Sequence, residues 1–288
     1  RYGNWESTVG YQFFQTHVGN FRKFDVMNHA GTLGATYRGA IETGPLAGSR
    51  FLAGGQYVFD NQWLGGHQFL QRNTGTLFAT IQWNTGGDAF WNPTNVTTPI
   101  GRVQGKIFNN FTDTPLPPEE NRDAINYMIG LNHAFYWSGD RNWLRVGYQW
   151  DTDVARGRNW DNRGNRVLAG LQYTLPWRTT QLEPWRQAQV DPVRQTRLGY
   201  SLDVHFPDYL HANTLLPITH PGTVQRSDIE QTHVFSLEQP LPFLRAEGGS
   251  ARPPMTLRVE YQIGVTSSDI ALYAYNRNLL SVSISYQY

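Results

Sequence analysis

The sequence predicts an all-β protein, an antiparallel up-and-down transmembrane β-barrel of about 12 strands (range about 12–14), formed as a single domain over residues 1–288. Segments of alternating apolar and polar residues recur along the chain, most of them near the roughly 9 to 11 residues that cross a bilayer obliquely. Helical periodicity of more than two turns appears nowhere. In several segments the charged residues fall opposite an uninterrupted apolar face. A soluble barrel packs its apolar face inside, and alternation alone does not show which face is the outer one.

Composition narrows the class of protein. The chain has 288 residues, enough for one large all-β domain, and a net charge of +1, so no field favours nucleic acid. It contains no cysteine, which excludes a disulfide framework and a thiolate metal site. No apolar run reaches the roughly 18 to 20 residues of a membrane helix. The residues around Tyr2 at the N-terminus do not form a signal peptide. If the protein is exported, we therefore expect this chain to be its mature form or a fragment.

The last stretch, Asn278 to Tyr288, shows the strand pattern most clearly. Its apolar residues alternate with three serines and a glutamine, so one face is apolar and the other is small and polar. A membrane barrel needs such a strand, with lipid on one side and the lumen on the other. The apolar set is Leu280, Val282, Ile284, Tyr286 and Tyr288.

Five strands are expected in the first part of the chain. The turn Gly44–Gly48 separates the second strand from the third, because glycine and proline favour tight turns. Residues 84–99 are rich in Gly, Asn, Pro and Thr and leave room for one more short strand. The five strands are expected at Glu6–His17, Leu33–Ile41, Phe51–Phe59, Leu77–Trp83 and Gly101–Phe108, with connections at Gly19–Asp25 and Asn61–Gln68.

Seven strands are expected in the rest. A tight turn at Ser138–Arg141 joins the sixth to the seventh, and three longer stretches are expected to be loops: Thr112–Glu120, Asp153–Gly164 and Pro207–Arg226. If the first strand rises from the periplasm, these three loops lie outside, although the connections at 84–99, 176–194 and 240–254 break the short-turn rule. The strands are expected at Ile125–Leu131, Leu144–Asp151, Val167–Leu175, Leu198–Phe206, Thr232–Glu238, Leu257–Val265 and Leu280–Tyr288.

Tryptophans concentrate near the expected strand ends, as in the aromatic girdles of membrane barrels. The alternative is that aromatic residues simply favour strands. The tryptophans concerned are Trp5, Trp83, Trp91, Trp137, Trp143, Trp150, Trp160 and Trp177.

Charged residues on the polar faces are the candidate lumen lining. Their cations could form a basic wall that attracts anionic polymers or solutes, or they could pair with Asp151, Asp203 and Glu260 inside a filled barrel. The histidines are dispersed, so we expect no metal and no cofactor. The candidate lumen residues are Arg38, Arg102, Lys106, Arg145, Asp151, Asp203, Arg258 and Glu260.

One strand carries residue types that could form an enzymatic site. Ser201, Asp203 and His205 share one face of one strand, but alternate residues of a strand lie roughly 6 to 7 Å apart. That is too far for a direct contact between serine and histidine. We therefore do not expect an enzyme.

Near the end of the chain, the run Tyr273–Asn278 is preceded by Ser267–Asp269 and followed by Leu280–Tyr286. This stretch resembles the end of Gram-negative outer-membrane barrels, in particular those that follow tetratricopeptide repeats. Other motifs are similar in tone and spacing: Asn121–Asp123, Gly157–Asp161, Leu175–Trp177, Asp208–Tyr209 and Asn213–Pro217. This group includes the surface lipoprotein assembly modifiers and the exopolysaccharide-export porins.

The resemblance implies a location in the bacterial outer membrane and several partners. Val282, Ile284, Tyr286 and Tyr288 would form the insertion signal read by the barrel-assembly machinery. Outer-membrane lipid would surround the barrel, and an upstream tetratricopeptide-repeat domain or a periplasmic or surface complex would be a further partner. No 34-residue helical repeat appears in this sequence.

The expected function is therefore passive transport, as a porin or an export conduit for a polymer, a protein or a solute. The alternative is a structural barrel that anchors a surface or periplasmic assembly through loops such as Pro207–Arg226. A lipid-modifying enzyme of the outer membrane is the third reading.

Overall fold

The predicted all-β, antiparallel, up-and-down fold class is confirmed: the residues that the structure describes form one sheet of twelve strands in sequence order. A computed structural model describes residues 4–16, 25–109, 117–139, 141–175, 196–214, 222–241 and 255–286. The strands are β1 Trp5–Gln15, β2 Val26–Ala40, β3 Arg50–Leu64, β4 His67–Ala89, β5 Asn92–Phe108, β6 Ala124–Trp137, β7 Asn142–Ala155, β8 Asn162–Thr174, β9 Arg197–Ala212, β10 Gln225–Pro240, β11 Met255–Ser268 and β12 Tyr275–Tyr286.

Each strand pairs with its neighbours in the sequence, and β1 and β12 are the two ends of the sheet. Among the described residues, three 3-10 helices of one turn each lie in the connections that follow β5, β7 and β11: Pro118–Glu120, Arg158–Trp160 and Ala271–Tyr273. All three therefore lie at the same end of the sheet, which we call the outer end.

The turns at the opposite end use residues that tolerate a left-handed backbone. Gly44 and Gly48 have φ of 86° and 85°, as the predicted turn requires. Ser138 and Gly139 have φ of 57° and 66° in the tight connection between β6 and β7. A left-handed backbone at these residues helps the chain to reverse between Trp137 and Asn142, which pair with each other across the connection.

Several strands extend beyond their predicted ends. The loop predicted at Pro207–Arg226 is shorter, because β9 continues to Ala212 and β10 begins at Gln225. Residues 84–99 form no additional strand, since they belong to the ends of β4 and β5. Polar residues that read as loops in the sequence continue the ladder in these places.

The loop Asp153–Gly164 and the connection Asn61–Gln68 are shorter for the same reason. Strand β7 continues to Ala155 and β8 begins at Asn162. Strand β3 runs to Leu64 and β4 starts at His67, so Gly65 and Gly66 alone join them.

The continuous register divides the side chains of the sheet between two faces. One face carries most of the charged, amide and hydroxyl groups, and we call it the polar face; the other is the apolar face. Burial is inverted between them, as β6 illustrates: Asn126 is 2% exposed and Met128 5% on the polar face, whereas Ile129 is 65% exposed on the apolar face. The polar face is thus the inside of this sheet.

Contacts between strands two apart show the direction in which the sheet curls. The Nζ atom of Lys106 on β5 lies 2.8 Å from Oδ1 of Asp153 on β7. Likewise, Asp151 on β7 and His205 on β9 are in contact. Side chains that skip a strand meet only where the sheet is concave, so the sheet curls towards its polar face.

Candidate functional site

The register places all eight predicted lumen residues on the polar face. Most of them lie beside a charge of opposite sign. Arg38 pairs with Glu6 at 2.6 Å, Arg258 with Glu260 at 2.6 Å, Lys106 with Asp153 at 2.8 Å, and Asp203 with Arg166 at 3.6 Å. The face is therefore largely neutralised by its own side chains.

The centre of the site is a cluster of two carboxylates and a histidine, which we call the histidine cluster. The Nε2 atom of His205 lies 3.1 Å from Oδ1 of Asp151, and its Nδ1 atom lies 3.2 Å from Oε2 of Glu230. The three residues come from β7, β9 and β10. Asp151 and His205 are buried, at 7% and 9% exposure.

Gly164 makes the contact between Asp151 and His205 possible. Strand β8 runs between their strands, and Gly164 is the residue of β8 that faces Asp151 across the ladder. A Cβ atom at this position would lie 2.5 Å from Nε2 of His205 and 3.2 Å from Oδ1 of Asp151. The glycine thus opens a path for a contact that crosses one whole strand.

The surroundings of His205 favour its doubly protonated form. Neutral imidazole carries one N–H, so one of the two carboxylates would face a lone pair, whereas imidazolium donates from both nitrogens. The histidine cluster then contains one cation between two anions. Such a buried charge group is stable only when every charge has a partner.

Arg102 and Asn126 extend the polar contacts of the histidine cluster towards β5. Arg102 donates from Nη2 to Oδ1 of Asn126 at 2.9 Å, and Nδ2 of Asn126 lies 3.4 Å from Oδ2 of Asp151. The Nε atoms of Arg102 and Arg166 are buried without a hydrogen-bond partner among the described residues. The Nε atom of Arg166 still lies 3.6 Å from the Asp203 carboxylate, at ion-pair distance.

Arg145 has a different environment. Its guanidinium carbon lies 5.3 Å from the ring centroid of Trp143, on the same strand and the same face. Trp143 was predicted to belong to an interfacial girdle, and that prediction is wrong, because the side chain lies on the polar face. The cation of Arg145 therefore contacts an aromatic ring of its own strand.

A second cluster, the outer cluster, surrounds Arg226 at the outer end. The guanidinium of Arg226 donates to both oxygens of Asp228 and lies over the rings of Tyr273 at 3.5 Å and Tyr209 at 4.2 Å. Asp228 is 1% exposed. The ring centroid of Trp160 lies 5.7 Å from the guanidinium carbon of Arg226. Trp160 therefore belongs to this cluster, and its assignment to an interfacial girdle was also wrong.

Asn159 ties the connections of the outer end together. Its Nδ2 atom donates to Oε1 of Glu120 at 2.6 Å and to Oγ1 of Thr214 at 2.8 Å, and its Oδ1 atom accepts from the backbone of Thr214 at 3.1 Å. Nε1 of Trp160 donates to the other oxygen of Glu120 at 3.1 Å. Residues from three separate connections are thereby held as one unit.

Gly157 is required for the same packing. A Cβ atom at Gly157 would lie 2.5 Å from backbone atoms of Glu119 and Asn121. Its N–H donates to the carbonyl of Asn121 at 2.8 Å. The connection after β7 therefore lies directly against the connection after β5.

Tyrosines on the apolar face form a repeated contact with asparagines of the next strand. Tyr57 donates to Asn73 at 2.6 Å, Tyr148 to Asn165 at 2.5 Å, and Tyr261 lies 3.3 Å from Oδ1 of Asn278. These pairs join β3 to β4, β7 to β8 and β11 to β12. In each pair the tyrosine ring is apolar and its hydroxyl has a hydrogen-bond partner. Such a side chain suits a boundary between apolar and polar surroundings.

Both ring nitrogens of His205 lie against carboxylates, so neither of them contacts Ser201. In the predicted insertion signal, Val282 and Ile284 lie exposed on the apolar face. Tyr286 ends β12, and Tyr288, like Trp177, lies outside the described residues. Sequence reasoning missed Glu230, Gly164 and the outer cluster, since alternation shows the face of a residue but not its partner.

None of the helices in the described ranges is long and apolar enough to cross a membrane. Within the same ranges, no group of three or more His, Asp or Glu side chains could hold a metal ion. The chain matches no known family model, and no curated protein is significantly similar to it in sequence. The site is therefore interpreted from its own chemistry.

Proposed function

We propose that the sheet closes into a β-barrel in the outer membrane of a Gram-negative bacterium and serves as a porin or export conduit. One observation carries the proposal: burial is inverted. The exposed large apolar side chains lie mostly on the apolar face of the sheet, whereas the most buried side chains are Asn126 and Asp228. In water, such a surface would far exceed the apolar patch of a few hundred Å² that a soluble monomer tolerates.

A bilayer accounts for both faces. Lipid contacts the apolar side chains, and the polar face encloses the interior. The strands contain 11 to 23 residues, and about 9 to 11 residues suffice to cross the hydrocarbon. The longest strand, β4, would then project beyond the bilayer at the end opposite the outer end, where residues 83–89 extend past β3 and pair, among the described strands, only with β5.

The interior supports a passage along one side. The polar face of β7 to β10 carries the histidine cluster and its neighbouring charges. On β1 to β4 two cross-strand rows in the middle of that face carry mainly small residues. They are Thr8, Gly10, Thr32, Gly34, Thr74 and Thr76, with Gln56 and Val58 on β3. Short side chains opposite a packed charged wall leave room between them for a solute or an extended polymer.

Planar-bilayer recording tests the conduit. The wild-type protein is expected to give stepwise conductance, and Thr32→Trp is expected to reduce it several-fold by filling the small-residue side. Gly31→Trp is the matched control, because Gly31 is the adjacent residue on the apolar face and a Cβ there would meet nothing within 4 Å. Absence of conductance from correctly inserted wild-type protein would overturn the proposal.

An anchor for a surface assembly is the second candidate, and the outer cluster favours it. Connections held together through Asn159 and Arg226 form a rigid outer surface that a partner could bind. This candidate predicts an inserted protein without conductance, and loss of the bound partner on deletion of residues 215–221. Both nitrogens of His205 are engaged by carboxylates, which supports a structural role for it rather than a catalytic one.

A further inference from the structure

The apolar face contains a groove across β2 to β7 that the proposed conduit does not use. The cavity has a volume of about 780 Å³, within the range of about 300 to 1,000 Å³ that is typical of ligand sites. Its floor is exposed backbone at Gly55, Gly75 and Gly101, and its sides are large apolar residues. These are Leu33, Tyr57, Leu77, Val103, Tyr127, Ile129 and Trp150.

The strand register explains the shape of the groove. Two adjacent cross-strand rows carry glycines at alternating positions: Gly75 lies between Tyr57 and Val103 in one row, and Gly101 between Leu77 and Ile129 in the other. A Cβ at Gly75 would meet nothing within 4 Å, and one at Gly101 would only touch a backbone oxygen at 3.9 Å. The glycines therefore leave open space that a side chain could fill without a clash.

A second cavity, of about 440 Å³, lies next to the groove towards the outer end. It begins two residues further along the same strands, at Asn73, Gly105 and Ile125. The hydroxyl of Tyr57 donates to Asn73 at the junction. The second cavity still contains apolar residues such as Ile125 and Val154, but Asp123 and Arg156 join its lining, and we call it the polar end of the groove.

Charged groups line the polar end. Asp123 and Arg156 contribute their residues to the second cavity, whereas the Lys106 side chain lies on the polar face, paired with Asp153. Nη1 of Arg156 lies 3.2 Å from Asp123, while the side chain remains 75% exposed. Asp123 thus holds the guanidinium by one nitrogen and leaves its other donors facing solvent, an arrangement suited to a phosphate.

We propose that this groove binds one glycerophospholipid, with an acyl chain over the three glycines and the phosphate at Arg156. The inference rests on the proposed membrane location, because acyl chains reach the apolar face only within a bilayer. The complementarity has two independent parts: an apolar groove deep enough to expose backbone, and an oriented guanidinium at its polar end. A second copy of the chain would fit the first part and leave the second unexplained.

Native mass spectrometry of delipidated protein in detergent tests the proposal, with phosphatidylglycerol and a diacylglycerol of the same chains as probes. We expect one phosphatidylglycerol per chain, bound at least tenfold more tightly than the diacylglycerol. The double variant Gly75→Leu/Gly101→Leu should lose binding of both probes at least tenfold. Gly31→Leu is the control, since it adds the same side chain to the same face outside the groove.

Arg156→Gln separates head-group recognition from the apolar contact without altering the strands. It should reduce phosphatidylglycerol binding to the level of the diacylglycerol and leave the diacylglycerol unchanged, while Arg163→Gln, an exposed arginine of β8, should change neither. Equal binding by wild type and the double leucine variant would overturn the lipid site. Failure of the membrane location itself would appear differently, as wild-type protein that stays soluble without detergent.

Discussion

Nε2 of His205 on β9 lies 3.1 Å from Oδ1 of Asp151 on β7, and the strand between them provides only the backbone of Gly164. This contact joins three strands through one glycine. It also couples the charge of His205 to two carboxylates that are far apart in the sequence. The stability of this wall of the sheet therefore depends on a small number of identifiable atoms.

Replacing His205 by alanine should destabilise the fold by about 3 kcal/mol, because removal of one partner leaves buried charge uncompensated. The unfolding temperature, followed by the shift in electrophoretic mobility on heating in detergent, measures the effect. His211→Ala is the control, since His211 is half exposed beside Asp161 at 3.5 Å. Adding Asp151→Asn to His205→Ala should recover part of the loss, and a purely additive double variant would contradict the coupling.

Gly164→Ala should destabilise the fold by about 1 to 3 kcal/mol, the usual cost of overpacking, because the new Cβ would lie 2.5 Å from Nε2 of His205. The same heating experiment measures it. Gly105→Ala adds a methyl group where nothing lies within 4 Å, and it should be neutral or slightly stabilising. Equal behaviour of the two variants would mean that Gly164 does not set the contact between Asp151 and His205.

How far the sequence predicts this molecule depends on the kind of information involved. Alternation alone predicts the strands, their number and the face of each lumen candidate, because side chains of a strand point to opposite sides at a fixed period. It cannot predict that Asp151 contacts His205 across β8, since that contact depends on register and curvature. The strand ends were also missed, because polar residues such as those between 207 and 212 continue a ladder as well as they form a loop.

The outer cluster illustrates the same limit. Trp160 and Arg226 read as a girdle residue and a loop end in the sequence, yet they lie within one aromatic and charged cluster. Only the packing of separate connections brings them together. A signal existed in the short motif Gly157–Asp161, whose glycine proves necessary for close backbone approach, but nothing in the sequence identifies Asn121 as its neighbour.

Val167→Arg tests which face meets lipid. An arginine on the lipid face costs about 2 to 4 kcal/mol near the bilayer midplane, so the yield of inserted protein should fall sharply. Leu168→Arg is the control, because Leu168 lies on the polar face opposite Asp203 and the new cation gains a partner there. The ratio of heat-modifiable to total protein in isolated membranes measures insertion. If the two variants insert equally, the assignment of the faces is wrong.

Arg226→Lys should loosen the outer cluster while keeping its charge. Lysine cannot donate to both oxygens of Asp228 in a planar fork or stack equally well on Tyr273 and Tyr209. We expect faster cleavage of residues 213–224 by added protease, with insertion unchanged. Arg163→Lys, at an exposed position of the same end, is the control and should leave the cleavage rate as in the wild type. If Arg226→Lys also leaves the rate unchanged, the outer cluster does not hold the connections.

Cysteine cross-linking tests closure of the sheet into a barrel. In hydrocarbon each unpaired backbone group costs several kcal/mol, so the free edges of β1 and β12 should pair with each other in a membrane. These strands have 11 and 12 residues and run antiparallel, since one is odd and the other even in an up-and-down sheet. The chain has no native cysteine, so the background is clean.

The pairs to make combine Val9→Cys on β1 in turn with Leu280→Cys, Val282→Cys and Ile284→Cys on β12, all on the apolar face. One pair should form an intramolecular disulfide under oxidation in membranes, because bridging requires Cα atoms within about 7 Å. It would be seen as a monomer of altered mobility after boiling without reductant. Cross-links that appear only at the size of a dimer would show instead that the two edges pair with another copy of the chain.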